Sequence, residues 1–185
     1  MRDFMFDNIF NKRTGRRHLL RGIGNADATG ASQAYVDYSA LVDCTTLTLT
    51  GASISRWKLP PAVNTLLCSE WGLGMLPALP NSVTTLYCDN GSLTSLPTLP
   101  PGLSVLVCAG NGLGNIPNIP ASLTSLDCHS CGWSSGQVNA LLAGVVAAGG
   151  QDGNLDCSGS NSAPDGQGVT DAETLVARGW TVTTS

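Results

Sequence analysis

The sequence predicts an α/β solenoid with one parallel β-sheet of about seven coils, a mostly extended convex side and two short helices near the C-terminus. Two observations carry this prediction. Cysteines recur every 20 residues, at Cys68, Cys88, Cys108 and Cys128, and each lies two residues after a leucine. Three of these units then close on a proline-rich segment. A period of this length is typical of stacked coils that contact only their neighbours.

The tripeptide Leu-x-Cys in each unit predicts a short strand. Side chains alternate along a strand, so the leucine and the cysteine point into the core and the middle residue points outward. A large apolar residue five positions after the cysteine returns the chain to the core. Segments such as Leu96-Pro97 predict an extended backbone on the convex side, because proline fixes φ and donates no hydrogen bond. One coil cannot bury its own inner face, so coils must stack.

This pattern resembles the leucine-rich repeat, L-x-x-L-x-L-x-x-N-x-L, in the short 20-residue form of secreted bacterial effector proteins. The resemblance covers about residues 41–133. It implies a parallel sheet whose concave face binds other proteins. The asparagine position of the repeat is occupied by Trp71, Gly91, Asn111 and Cys131. The buried asparagine ladder of the family is therefore largely missing, and the turns must be satisfied in another way.

The pattern continues at both ends with irregular spacing. Leu47 and Leu49 fit one coil upstream, and "LDC" at 155–157 repeats "LDC" at 126–128. The last strand is predicted in "GWTVTTS". The seven predicted coils have strands near 47–49, 66–68, 86–88, 106–108, 126–128, 155–157 and 180–184.

Two helices are predicted between these C-terminal coils. "SSGQVNALLAGVVAAGG" predicts a helix that begins near Ser134 or Ser135 and ends at Gly149-Gly150. Thr170-Asp171-Ala172-Glu173 has the pattern of a capping box and predicts a second helix over about 171–178, which Gly179 ends.

The C-terminal segment 137–185 carries a second resemblance. Its strings "VNALLAGVVAAGG" and "APDGQGVTDAETLVARGWTVTTS" resemble the C-terminal ends of repeat modules in tailed-bacteriophage structural and tail-associated proteins. Related ends also occur in uncharacterised bacterial proteins. The resemblance implies a viral origin and leaves the position in the particle open between capsid, neck and tail.

Charge divides the chain into a basic arm and an acidic body. Residues 1–21 have a net charge of +4 (six bases, two acids), and residues 22–185 have −8 (three bases, eleven acids). We therefore predict an anchoring arm over 1–33 and a solenoid with its C-terminal cap over 34–185, and "GIGNADATG" (22–30) is interpreted as a flexible hinge. The arm residues predicted to contact a partner are Phe4, Phe6, Ile9, Phe10, Arg13, Arg16, Arg17 and Arg21.

The partner of the arm is left open by its composition. A basic run of this kind suits nucleic acid, an anionic membrane or an acidic protein groove, and a solvated tail is the alternative. No apolar stretch approaches the roughly 20 residues that a membrane span needs.

The outward strand positions predict a second surface. Leu67, Tyr87 and Val107 form an apolar stripe, which suits a protein interface or burial under a loop or the arm. Asp127 and Asp156 end the stripe and disfavour nucleic acid. We expect the partner-binding residues of the concave face to be Leu67, Tyr87, Val107 and Asp127.

The seven cysteines are interpreted mainly as packing residues. Five of them occupy the same inward position in successive coils and are called the cysteine ladder: Cys68, Cys88, Cys108, Cys128 and Cys157. Neighbouring strands lie about 4.8 Å apart, too far for a disulfide between ladder positions, so these thiols are expected to stay reduced. Cys44 lies off the ladder, near the arm, and is the candidate for a disulfide to another chain. "CHSC" (128–131) lacks a second cysteine pair, so no metal site is expected there.

The sequence lacks the motifs of an enzyme. It contains only two histidines, His18 and His129, and no nucleophile elbow or phosphate-binding loop. We predict a non-enzymatic virion protein without a cofactor, docked by its arm to capsid, neck or tail in a symmetric assembly, whose repeat domain decorates or crosslinks the surface. Its partners would be other virion proteins, with a host surface receptor left open. The alternative is a secreted or surface bacterial recognition module that binds a host protein.

Overall fold

The structure of the protein is a computed structural model that describes residues 25–27, 32–33, 36–39, 43–49, 53–54, 57–70, 72 and 74–185. The predicted contact residues of the arm lie outside the described residues, and their roles stay predictions. These residues are Phe4, Phe6, Ile9, Phe10, Arg13, Arg16, Arg17 and Arg21.

Twelve short strands and two helices occur in the described part of the chain. The strands are β1 (Asn25–Asp27), β2 (Ser32–Gln33), β3 (Val36–Asp37), β4 (Thr46–Thr48), β5 (Ser53–Ile54), β6 (Trp57–Lys58), β7 (Thr65–Leu67), β8 (Thr85–Tyr87), β9 (Val105–Val107), β10 (Ser125–Asp127), β11 (Asn154–Asp156) and β12 (Thr181–Thr183). The helices are α1 (Ser135–Ala148) and α2 (Gln167–Ala177).

The main sheet is parallel and follows the chain from coil to coil. Its strand order is β1-β4-β7-β8-β9-β10-β11-β12. The described residues of the segments that join β7 to β8, β8 to β9 and β9 to β10 form no helix, whereas α1 and α2 precede β11 and β12. The predicted α/β solenoid with an extended convex side and two helices near the C-terminus is therefore confirmed.

The inward positions of the strands build the core, as the spacing predicts. The central residues Leu66, Leu86 and Leu106 are paired in register and completely buried. The cysteines that follow the strands are buried in the same way, with Cys108 at 0% exposure. Stacking of identical positions explains why a 20-residue spelling recurs, because each inward side chain packs on its counterpart in the next coil.

The sheet begins earlier in the chain than the seven predicted coils. β1 pairs with β4 at Asn25↔Thr46, β2 with β5 at Ser32↔Ser53, and β3 with β6 at Val36↔Trp57, always with the same offset of 21 residues. An additional coil thus occupies part of the segment that the sequence assigned to the arm and its hinge. The division into an arm and a solenoid stays a prediction, but the first strand of the sheet lies within 1–33.

Helix α1 forms where the sequence predicts it. Ser134 is its N-cap, and the backbone N–H of Ser134 donates to Oε1 of Gln137 (3.1 Å). Gly149 ends the helix at a φ of 80°, a left-handed conformation that glycine adopts without steric cost. The face with Val138 and Leu142 is buried against the core.

Helix α2 begins four residues before its predicted start. Its N-cap is Gly166 and not Thr170. The reason is a tertiary contact, because Asn139 of α1 donates from Nδ2 to Oδ1 of Asp165 (2.6 Å) and fixes the chain just ahead of the helix. Gly168 permits this approach, since a Cβ there would lie 1.9 Å from Oδ1 of Asn139. No helix in the described part of the chain is long and apolar enough to cross a membrane.

A buried asparagine satisfies the turn that precedes it by one coil. Oδ1 of Asn111 accepts the backbone N–H groups of Gly91 (2.9 Å) and Leu93 (2.8 Å). Nδ2 of the same side chain donates to the backbone oxygens of Cys88, Cys108 and Ala109. Asn111 is 4% exposed, so these hydrogen bonds are shielded from water. The coil that contains Asn111 thereby completes the hydrogen bonding of the preceding coil.

A second asparagine repeats this arrangement further along the solenoid. Oδ1 of Asn161 accepts the N–H groups of Cys131 and Trp133, both at 3.0 Å. Its Nδ2 donates to the carbonyl oxygens of Cys128 and Cys157. The sequence pattern indicated only one such residue, and the structure shows that turns at two levels are satisfied by asparagine.

All seven cysteines are buried, and none of them forms a disulfide within the described part of the chain. Burial raises the pKa of Cys88 to about 12 and the pKa of Cys68 well above its ordinary value, because the thiolate loses its hydration. Cys44 is 1% exposed, and its thiol donates to the backbone oxygen of Thr46 at 3.2 Å. It would have to reach the surface before bonding to a second chain, and that disulfide stays a prediction.

Candidate functional site on the concave face

The concave face is formed by the outward side chains of the main sheet. One row of these positions runs through the last residue of every strand in register, which brings Leu67, Tyr87, Val107, Asp127 and Asp156 side by side. Adjacent members are separated by one strand spacing, about 4.8 Å. The row therefore places the predicted concave-face residues on one continuous line.

The apolar part of this row is open to solvent to different degrees. Tyr87 is 37% exposed and is the most prominent, whereas Leu67 and Val107 are half-buried. Other large exposed apolar side chains lie elsewhere, with Met75 outside the main sheet and Val176 on α2. A tyrosine between two aliphatic side chains offers a flat apolar surface with one polar end, a combination that is enriched at protein interfaces.

The polar end of the row is a cluster of two carboxylates and one imidazole. Asp127 and Asp156 are paired in register on β10 and β11, and His129 follows β10. Oδ1 of Asp127 lies 2.6 Å from Nδ1 of His129 and also accepts the backbone N–H of His129 (3.2 Å). These contacts hold the imidazole ring beside the carboxylates.

The second carboxylate is held in the same manner by its own strand. Oδ1 of Asp156 accepts the backbone N–H of Ser158 at 3.0 Å and the hydroxyl hydrogen of Ser158, with 2.7 Å between the two oxygens. In both aspartates one carboxylate oxygen makes these contacts with the residue two positions further on. The repeat geometry thus presents two carboxylates in equivalent orientations on neighbouring strands.

This environment raises the pKa of His129 above 6.5. The largest cause is the hydrogen bond to Asp127, which favours the protonated ring, and the negative charges of Asp127, Asp156 and Asp89 add to it. Desolvation of the ring lowers the pKa, but the effects that raise it are together larger. Because the folded-state pKa is raised, the interaction stabilises the fold below the unfolded-state pKa and is lost as the pH rises through the folded-state pKa.

Replacing Asp127 with asparagine is expected to lower the pKa of His129 towards 6.5. The variant removes both the charge and the strong acceptor while keeping the side-chain volume. A pH titration of the His129 ring signals by NMR measures the change, with Asp171→Asn on α2 as the control that alters charge away from the cluster. An unchanged titration midpoint in Asp127→Asn would show that the hydrogen bond does not form in solution.

Trp133 belongs to the core and not to the concave face. Trp133 is 2% exposed and packs in the core at the position where other coils have Leu93 and Leu113. His129, in contrast, joins the concave face as a polar neighbour of Asp127. Its i, i+2 spacing from Asp127 across the end of a strand is the sequence signal that predicts this proximity.

Two comparisons with known proteins returned no match. No family model matches the chain, and no curated protein matches it. The assignment of the chain as a repeat solenoid therefore depends on its 20-residue pattern and on the parallel sheet in which that pattern is arranged.

Proposed function

We propose that the protein is a non-enzymatic structural component of a bacteriophage particle that binds another protein through the concave face of its solenoid. The observation that carries the binding function is the continuous row of Leu67, Tyr87 and Val107 on the exposed side of the sheet. Solenoids of stacked repeats present extended concave surfaces of this kind to protein partners.

The particle context is supported by the sequence. The repeat resembles leucine-rich repeats, and the segment 137–185 resembles ends of tailed-phage structural modules. The net charge of +4 over residues 1–21, against an acidic remainder, suits a docking arm. In this proposal the arm attaches the protein to capsid, neck or tail, and the repeat domain decorates or crosslinks the surface.

The arm is tested by a truncation that leaves the sheet intact. Removing residues 1–21 deletes the basic, phenylalanine-bearing segment and retains β1, which begins at Asn25. Particles are purified on density gradients from cells that express either the full chain or residues 22–185, and the chain is quantified by mass spectrometry. We expect the full chain to sediment with the particles and the truncated chain to remain at the top of the gradient.

The concave face is tested on particles that lack this protein, produced in cells without the gene that encodes it. Purified Tyr87→Ala protein is expected to bind these particles at least about tenfold more weakly than the wild type, because exposed aromatic anchors carry much of the energy of an interface. Met75→Ala is the matched control, since Met75 is 68% exposed and lies off the concave row. Equal binding by Tyr87→Ala and wild type would remove this face from the proposal.

Incorporation of the truncated chain at the full level would overturn the docking role of the arm. Absence of the full chain from every particle fraction would overturn the particle role as a whole. A chain found in the culture medium or on the cell surface instead would favour the alternative, a bacterial recognition module for a host protein.

A further inference from the structure

We propose that Asp127, His129 and Asp156 form a binding site for a divalent transition-metal cation of the zinc class on the concave face. The three side chains each offer one ligand atom, and these atoms all lie within 4.8 Å of one another. The site goes beyond the proposed protein-binding function and does not depend on it.

One imidazole nitrogen and two carboxylate oxygens are ligands that suit a borderline-soft cation such as Zn²⁺. Zn²⁺ binds imidazole nitrogen and carboxylate oxygen at about 2.0–2.2 Å, which puts the ligand atoms of a tetrahedral site about 3.4 Å from one another. The observed spacing needs only small rotations of these half-buried side chains to reach this geometry. Ca²⁺ takes six to eight oxygen ligands and Mg²⁺ a near-ideal octahedron of oxygens, so an imidazole with two carboxylates suits them less.

The charge distribution favours a cation at this point. Asp127 and Asp156 lie directly opposite each other on adjacent strands, an arrangement of like charges that is unfavourable by itself. The described part of the chain contains no lysine or arginine that forms an ion pair with either carboxylate, and His129 is the partner of Asp127. A bound dication would neutralise both carboxylates at once.

The scaffold limits the cost of assembling the site. The side chains of Asp127 and Asp156 are already oriented by their contacts with the residues two positions further on, and β10 and β11 are held in register by the sheet. All three side chains are half-buried, so an ion can enter from the concave side. The cluster lies beside Val107, at the end of the apolar row.

The ion would replace the proton that joins Asp127 to His129. Oδ1 of Asp127 and Nδ1 of His129 are 2.6 Å apart, closer than two ligands of one ion, so binding must separate them by somewhat less than 1 Å. A neutral ring is needed for ligation, because a protonated imidazole has no free lone pair. The proton is released to solvent when the metal binds.

Calorimetric titration of ZnCl₂ into the reduced full-length protein tests the site. We expect one saturable site per chain in the wild type, with affinity reduced at least about 10–100-fold in His129→Ala and in Asp156→Asn. His18→Ala and Asp171→Asn are the matched controls, since they remove the other histidine and a carboxylate on α2, and both should bind as the wild type does. Thermal unfolding of the metal-free variants verifies that the fold is retained.

Substitution by Co²⁺ separates this site from the cysteines. A site of one imidazole and two carboxylates gives visible ligand-field bands without thiolate-to-cobalt charge transfer, and the seven buried thiols would add that charge transfer if they were the ligands. The proposal is overturned by any of three results. These are no saturable zinc binding in the wild type, wild-type affinity in His129→Ala and Asp156→Asn, or a thiolate-to-cobalt band.

Discussion

Replacing Asn111 with alanine is expected to lower the free energy of unfolding by about 3–5 kcal/mol. The side chain is 4% exposed and accepts hydrogen bonds from the backbone of Gly91 and Leu93. Alanine leaves both N–H groups buried without a partner, and each unsatisfied group costs about 1–3 kcal/mol. The carbonyl oxygens that its Nδ2 contacts lose a donor as well. Denaturant unfolding followed by circular dichroism measures the difference.

Asn115→Ala is the matched control for this prediction. Asn115 lies four residues away in the same coil and is exposed. Its loss is expected to change the free energy of unfolding by no more than about 0.5 kcal/mol, as is usual for surface substitutions. Similar stabilities for Asn111→Ala and Asn115→Ala would mean that the turn after β8 finds other partners in solution.

Replacing Trp133 with alanine is expected to have an effect of similar size, about 3–5 kcal/mol, for a different reason. The indole is 2% exposed, fills the core directly before α1 and donates from Nε1 to the backbone oxygen of Leu113 at 2.6 Å. Alanine leaves a cavity that the neighbouring coils, fixed by their parallel pairing, can close only partially. Denaturant unfolding by circular dichroism is again the measurement, since its signal does not depend on the indole.

Trp133→Phe divides this effect into its two parts. Phenylalanine retains much of the volume and removes the donor to Leu113, so a loss of about 1–3 kcal/mol is expected from the unpaired carbonyl and the smaller ring. A Phe variant as unstable as the Ala variant would assign the effect to the hydrogen bond. An Ala variant within about 1 kcal/mol of the wild type would contradict the role of Trp133 in the core.

The regular part of the fold follows from spacing in the sequence. The leucine–cysteine pair at Leu66 and Cys68 is repeated every 20 residues in the next three coils. A constant spacing of this kind is what register in a parallel sheet requires. Helix α1 is equally visible, because Ser134 and Gly149 mark its two ends. In these regions local sequence and tertiary packing favour the same conformation.

Other features are missed because their spacing is irregular or their cause is tertiary. The additional N-terminal coil follows an offset of 21 residues, and its only clear signal is the string "TGAS", which occurs at 29–32 and again at 50–53. Asn161 lies four residues after its ladder cysteine, whereas Asn111 lies three after its own, so a fixed pattern finds only the latter. The start of α2 is determined by Asn139 of α1.

The candidate site was predictable in position and not in detail. Alternation along the strands places Tyr87 and Asp127 on the outer row from the sequence alone. The contact between Asp127 and His129 depends on side-chain torsions at the end of a strand, and so does the approach of Asp156 from the next coil. Spacing along the strands therefore indicates that these residues are neighbours, whereas the distances between their ligand atoms become apparent only in three dimensions.

The asparagine contacts also affect the order in which the coils can be completed during synthesis. Gly91 and Leu93 depend on an acceptor that lies 18–20 residues further along the chain, and Cys131 and Trp133 depend on one 28–30 residues further along. During synthesis, when the chain emerges from its N-terminus, a finished strand therefore precedes the residue that completes its turn. The coils that contain β8 and β10 therefore stay incomplete on the ribosome until the following coil has emerged.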